Sequence, residues 1–171
     1  MLEPLKPSHA SPLFDNLQDE QLYRFIPVEP PTSSSELKRL YELRSIQIAP
    51  NRDEIWLNWA GRLASTQTYV GMFEATISDD SALIAYSIFP PYWSNGFGQE
   101  GLAAVLDQCL TAVGVTEAVA EIDSRNIPSI RLVKRLGFEE IAFTPNADVF
   151  KGSVSDEFIF SIKLPRMSNS L

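Results

Sequence analysis

Cysteine and histidine are nearly absent from this sequence: there is one of each, Cys109 and His9. A lone cysteine excludes a disulfide within the chain and leaves no material for a thiolate metal site. Cys109 falls on an apolar helical stripe with Leu102, Val105, Leu106 and Val113, where a thiol reads as core. A lone histidine leaves little basis for a His-based triad or a zinc site, so no metal is expected. Basic residues are also scarce, 14 Lys and Arg against 22 Asp and Glu, for a net charge of -8. Such a chain is a poor general binder of nucleic acid or of an anionic membrane, although it would attract cationic amines. Long apolar runs are missing too. None approaches the roughly 18 residues of a membrane-spanning helix, and the Met1 to Pro7 start lacks a basic region followed by an apolar stretch. The expectation is a soluble cytoplasmic protein with no nucleic-acid or membrane partner.

What is present fits a globular chain. The 171 residues are 44% hydrophobic and 21% charged. That length suits one domain able to bury roughly 70% of its unfolded surface. Pro and Ser gather between Pro27 and Ser35, a connection between helices, and again after Leu164. The domain is expected to span 1–165, with 166–171 a flexible tail.

The periodicity changes along the chain. Leu2 to Leu5 reads as a short strand. Ser8 is placed to cap a helix carrying Leu13, Phe14, Leu17 and Leu22, and Ser34 or Ser35 to cap a second with Leu37, Leu40, Tyr41 and Ile48. Between Glu54 and Leu63, Ile55, Leu57, Trp59 and Leu63 alternate with polar residues and suggest a strand, with helix as the alternative. Tyr69 to Ile77 and Ala82 to Phe89 read as strands around a turn at Ser78 to Ser81. A helix from Gln99 carries Leu102, Val105, Leu106, Cys109, Leu110 and Val113, and Gly114 stops it. Glu117 to Ile122 reads as a strand. Pro128 fits the first turn of a helix bearing Ile130, Val133 and Leu136, ended by Gly137. Strands at Phe138 to Phe143 and Phe158 to Leu164 close the chain. This order gives an α+β fold, a mixed and mostly antiparallel twisted sheet flanked by helices.

The segment Ile88-Phe-Pro-Pro-Tyr-Trp-Ser-Asn-Gly96-Phe-Gly98-Gln-Glu-Gly101 joins a strand to a helix N-terminus. Gly96 and Gly98 let the backbone fold closely and expose N–H groups. With the helix dipole, those groups suit a pyrophosphate. Gly96-Phe-Gly98-Gln-Glu-Gly101 also matches G-x-G-x-x-G, with Glu121 and Asp123 downstream where a ribose-binding acid would stand. NAD binding is therefore an alternative. Against it, two prolines separate the glycines from the preceding strand, and the strands before them read as hairpin-linked and antiparallel. Too little chain follows for a doubly wound sheet.

Two blocks of this sequence resemble the GNAT N-acetyltransferases. Trp93-Ser-Asn-Gly96-Phe-Gly98 stands where that family has Q/R-x-x-G-x-G/A, and Tyr92-Trp93 is similar to the ribosomal-protein-alanine branch. Asn126-Ile-Pro-Ser129-Ile-Arg-Leu-Val-Lys-Arg-Leu-Gly137-Phe138 resembles the family's N-x-x-S element ending in G-F. The resemblance implies a GNAT-like acyl-coenzyme A N-acyltransferase fold. It also implies acetyl transfer from acetyl-coenzyme A to a primary amine, on a peptide N-terminus or a small molecule, by direct attack in a ternary complex. An acyl-coenzyme A-binding module without catalysis is the alternative. On this resemblance Ile88 and Phe89 would offer backbone groups to pantetheine, with Trp93 opening the signature. Gly96, Phe97, Gly98 and Gln99 would supply amides to the pyrophosphate. Asn126 would bind coenzyme A or the reacting region, Ser129 would lie near the thioester sulfur, and Arg131, Lys134 or Arg135 could reach the 3′-phosphate. Val133 stands where many relatives carry a tyrosine that protonates the departing thiolate. Ser129 or a water would then substitute. Acceptor pockets in the family imply Glu29 to Ser45 and Pro145 to Asp156 here.

Acetyl transfer also needs a base to deprotonate the amine. Glu121, on the strand leading to Asn126, is the first candidate and Glu74 the second. Glu100 reads as dipole support in the first helical turn.

Overall fold

The computed structural model describes residues 1–46, 53–110 and 113–165, without the side chains of 108 and 109. The expectations for Ile48, for the Cys109 thiol and for the 166–171 tail lie outside the described residues. Seven strands are present among those residues: β1 (Leu2–Pro4), β2 (Ile55–Arg62), β3 (Tyr69–Ser78), β4 (Ser81–Ile88), β5 (Glu117–Asp123), β6 (Glu139–Phe150) and β7 (Ser153–Lys163). They form one sheet in the order β1-β2-β3-β4-β5-β7-β6. Among the described residues, β4–β5 is the only parallel pair. A doubly wound dinucleotide-binding sheet needs a run of parallel strands, so this topology removes the NAD alternative.

Each face of the sheet buries its own core. Trp59, Phe73, Ala75, Ile84, Ala120, Ile122 and Phe160 point to one face. Two helices cover it, α3 (Phe97–Ala104) and α4 (Ile127–Arg135), through Leu102, Ile130 and Val133. Ala60 and Met72 point to the other face. There they meet α1 (Ala10–Phe14) and α2 (Ser34–Arg44) through Leu13, Leu37 and Tyr41, together with Phe89. Strand alternation explains the division, because Phe73 and Met72 are neighbours in sequence and point opposite ways.

Several local expectations are corrected. No long helix begins at Ser8. Pro7–His9, Asn16–Gln18 and Glu20–Tyr23 are single 3₁₀ turns around the short α1. Asp19 accepts from the Gln21 N–H at 3.0 Å, an Asx turn that competes with helix continuation. The cap of α2 is Ser33 rather than Ser34 or Ser35, its Oγ accepting from the Glu36 N–H. The Glu36 carboxylate in turn accepts from the Thr32 N–H. After Ala104 the chain continues as a π-helix over Val105–Leu110. The wider winding shifts the apolar stripe, and Val113, expected on it, is 53% exposed.

The last two strands are much longer than their apolar segments. They run as an exposed hairpin to the two-residue loop Lys151-Gly152, where both residues have positive φ. That geometry is the one tight hairpin loops require. Bulges between Glu140 and Ala142 and between Thr144 and Asp148 break the alternation that would mark a strand in the sequence.

Candidate functional site

β4 and β5 pair only through Ser81 to Leu83 and Glu117 to Val119. Beyond Leu83 the β4 edge is unpaired on that side, and Tyr86 and Ile88 lie along it. The α3 and α4 N-termini follow the far ends of these two strands, so the gap between β4 and β5 opens toward both.

The turn into α3 is built as a bare N-terminus. Gly96, the N-cap, has φ +83° and no capping side chain. Helical hydrogen bonding starts with the Glu100 N–H on the Gly96 carbonyl, 3.0 Å. The N–H groups of Phe97, Gly98 and Gln99 precede it and have no intrahelical acceptor by helix geometry. They and the positive end of the dipole form a site for an anion. Ser94 also has positive φ, and the Asn95 side chain donates to the Trp93 carbonyl at 2.9 Å, shaping the approach. Gly98 is buried between α4 and β4, where a Cβ would stand 2.8 Å from Leu132 Cδ1 and 3.3 Å from Ile88 Cγ1. Trp93 is 44% exposed, and its indole N–H donates to the Ile88 carbonyl. The Phe89 N–H donates to Val70 O and the Phe89 carbonyl accepts from the Tyr92 N–H. The expectation that Ile88 and Phe89 present free backbone groups is thus narrowed: the Phe89 N–H is committed to β3, the Phe89 carbonyl to Tyr92 and the Ile88 carbonyl to the Trp93 indole.

Asn126 and Ser129 open α4. The Asn126 side chain caps the helix by accepting from the Ser129 N–H at 3.3 Å. The Ser129 hydroxyl accepts from the Tyr86 hydroxyl at 3.0 Å. Burial pushes the Tyr86 hydroxyl up to about 12, against a smaller opposing effect of its bond to Ser129. Val133, on α4, is fully buried in the core. Arg131 and Arg135 are exposed on α4, and Lys134 is paired with Glu140 at 3.4 Å.

Sequence reasoning missed a network at the end of β5. Asp123 is buried and accepts from the Arg125 N–H (2.8 Å), from Arg125 Nε (2.9 Å) and from Ser155 Oγ (2.7 Å). Burial pushes its carboxyl up, but the hydrogen bonds from Arg125 and Ser155 outweigh that and hold it below the usual range. The Asn126 N–H donates to the Asp123 carbonyl at 2.9 Å, so this network sets the turn that aims Asn126 and Ser129. The signal lay in Asp123-Ser-Arg-Asn126, a composition suited to an Asx turn.

The carboxylates expected to act as bases occupy the other face of the sheet. Glu121 is exposed on β5, opposite Ile159 on β7. Glu74 forms an ion pair with Arg44, 2.7 Å apart. Glu157, opposite Asp123, is half-buried. Burial pushes its carboxyl up, and the nearby Glu121, Asp148 and Asp123 carboxylates add to the shift. A cleft of about 750 Å³ lies between Tyr23, Phe25 and Glu29 on one side and Arg125, Phe150 and Lys151 on the other. Lys151 Nζ donates to the Tyr23 carbonyl at 2.6 Å and ties the β6–β7 hairpin to that segment. The N-terminal wall of this cleft therefore begins upstream of the expected Glu29. Among the described residues there is no cluster of His, Cys, Asp or Glu arranged to hold a metal, and no helix long and apolar enough to cross a membrane.

Comparison with known proteins agrees with this architecture. Residues 1–139 match the family described as Acetyltransferase (GNAT) domain. The chain is 21% identical over 164 residues to the "Uncharacterized N-acetyltransferase p20" of Bacillus licheniformis, covering 94% of this chain and 90% of that protein. Its fold is similar to the ribosomal-protein-S5-alanine acetyltransferase of Vibrio fischeri, with a TM-score of 0.83, 15% identity, and 95% and 92% of the two chains covered. It is also similar to the spermidine N-acetyltransferase of Vibrio cholerae solved with CoA and spermine, with a TM-score of 0.82, 18% identity, and 96% and 95% covered. The family match spans most of the sequence and includes both the α3 turn and the start of α4: the chain belongs to the GNAT acetyltransferase family.

Proposed function

We propose that this protein transfers an acetyl group from acetyl-coenzyme A to a primary amine by direct attack in a ternary complex. The observation that carries the reading is the uncapped α3 N-terminus beside the gap between β4 and β5. Three amides there, from Phe97, Gly98 and Gln99, suit a pyrophosphate, and the β4 edge at Tyr86, which β5 leaves unpaired, suits an extended pantetheine arm. Asn126 and Ser129 border the same gap. Arg131, exposed on α4, is the residue we assign to the 3′-phosphate. The acceptor amine enters from the cleft between Tyr23 and Lys151, whose rim carries Glu20 and Glu29, and Glu121 takes its proton, directly or through water. The similar folds of a spermidine and a ribosomal-protein-alanine acetyltransferase support an amine acceptor, on a small molecule or a peptide N-terminus.

The test is incubation with acetyl-coenzyme A and a panel of polyamines and short peptides with free N-termini, read by mass. A mass increase of one acetyl group on an amine is expected. Coenzyme A binding with no product on any amine would favour the acyl-coenzyme A-binding module instead.

A further inference from the structure

We propose that Tyr86 is a positioning residue that fixes the Ser129 hydroxyl as a hydrogen-bond donor to the departing coenzyme A sulfur. The proposal rests on the acetyl-transfer reading above. Its geometry is independent of the family's usual tyrosine, whose place is taken by the buried Val133.

Tyr86 lies on β4 beyond the last residue paired with β5, and Ser129 lies in the first turn of α4. Their hydrogen bond joins β4 to the first turn of α4, and the Tyr86 hydroxyl also lies 3.4 Å from the Ser129 carbonyl. Ser129 is held from two sides: its N–H by the Asn126 side chain, and its Oγ by the Tyr86 hydroxyl. A hydroxyl has one proton and two lone pairs. With a lone pair of Ser129 Oγ filled by the tyrosine proton, the serine's own proton is left to point elsewhere in the gap. Tyr86 stays protonated across the working range, because burial disfavours its anion. It therefore serves as a fixed donor rather than as the proton source.

In the transfer, the amine nitrogen bonds to the acetyl carbon and the carbon–sulfur bond breaks. That bond's electron pair stays on sulfur. The amine proton leaves to Glu121 or water, and sulfur regains a proton from solvent. Between those events the serine O–H stabilises the sulfur anion, and Tyr86 keeps that O–H aimed.

The experiment compares the parent with Tyr86→Phe, Ser129→Ala and the double variant. Turnover is measured first. Tyr86→Phe should lower kcat about tenfold, the worth of one hydrogen bond, with KM for acetyl-coenzyme A unchanged. Ser129→Ala should lose at least as much, and adding Tyr86→Phe to it should cost nothing further. The second readout needs no turnover: the pKa of the bound coenzyme A thiol, followed by the ultraviolet absorbance of its thiolate. It should rise by about one unit in Tyr86→Phe, the equivalent of the same factor of ten. A Tyr86→Phe enzyme with unchanged kcat and unchanged bound-thiol pKa would overturn the proposal while leaving the acetyl-transfer reading intact. Losses that multiply in the double variant would also overturn it. A parent protein that neither binds coenzyme A nor forms product would remove the functional reading, and this proposal with it.

Discussion

Gly101 on α3 lies so close to Phe73 on β3 that a Cβ added to it would stand 2.1 Å from the ring's Cζ. That contact lets α3 settle directly on the sheet and aims its N-terminus along β4. Gly101 is also the third glycine of the G-x-G-x-x-G pattern. Its role is helix-on-sheet packing, and the mostly antiparallel sheet beneath it is not a dinucleotide fold. Gly101→Ala should destabilise the protein by roughly 1–3 kcal/mol, the usual range for overpacking a core. Chemical denaturation with an unchanged midpoint would show that α3 can shift freely.

Gly96 tests the anion site more cleanly than Gly98, where any side chain meets Leu132 and Ile88. Around Gly96 nothing lies within 4 Å of an added Cβ. The positive φ costs a non-glycine residue roughly 1–2 kcal/mol, and Asp is among the residues that tolerate the left-handed region best. A carboxylate beside the Phe97 to Gln99 amides would repel a pyrophosphate. Gly96→Asp should weaken coenzyme A binding by about tenfold or more while the protein remains folded. Equal affinity in calorimetric titration would place the pyrophosphate elsewhere.

Glu157 makes a pH-dependent prediction. Its carboxyl is held above the ordinary 4.5, first by burial and then by Glu121, Asp148 and Asp123. A raised carboxyl means that the folded state binds the proton more tightly than the unfolded state does. Its contribution to stability is full below about 4.5 and is lost as pH rises through the folded value. Glu157→Gln should therefore raise the melting temperature at pH 7, and the gain should shrink on acidification toward pH 4. A loss of stability at pH 7 would mean that the charged form is well accommodated.

Glu121 carries the proposed base role. Exposed in this structure, it stands two residues before Asp123 on the strand that leads to Asn126. Glu121→Gln keeps the shape and removes the basicity. Turnover should fall by roughly 10²-fold, with little change in coenzyme A affinity. A pH–rate profile that matches the parent's would exclude Glu121, and Glu157 or water would then be examined.

Much of this was readable because the core elements follow simple periodicities. Val70, Met72, Phe73, Ala75 and Ile77 on β3, and Leu102, Val105, Leu106 and Leu110 of the helical stripe, are buried as their spacing indicates. The β6–β7 hairpin is half hidden in the sequence because it is exposed: polar residues such as Asn146 and Asp148 carry no alternation when neither face is fully covered. The N-terminal segment differs from its sequence pattern because apolar spacing at Leu13, Leu17 and Leu22 suits a helix, while the Asp19 turn interrupts it. Within the site, glycines and caps are local and show in sequence. Tyr86 meeting Ser129 is a contact between residues 43 apart, made where the start of α4 comes against β4, and no local pattern encodes it.

Coenzyme A binding at the α3 turn is the central claim, and thermal unfolding with added ligand tests it most directly. A ligand that binds only the folded state stabilises it by about 2.7 kcal/mol at 100 times its dissociation constant. The melting temperature should rise with coenzyme A and with acetyl-coenzyme A, and the rise should be smaller for Gly96→Asp. NAD at the same concentration should leave it unchanged. No shift at millimolar coenzyme A, with a clear shift for NAD, would contradict the account.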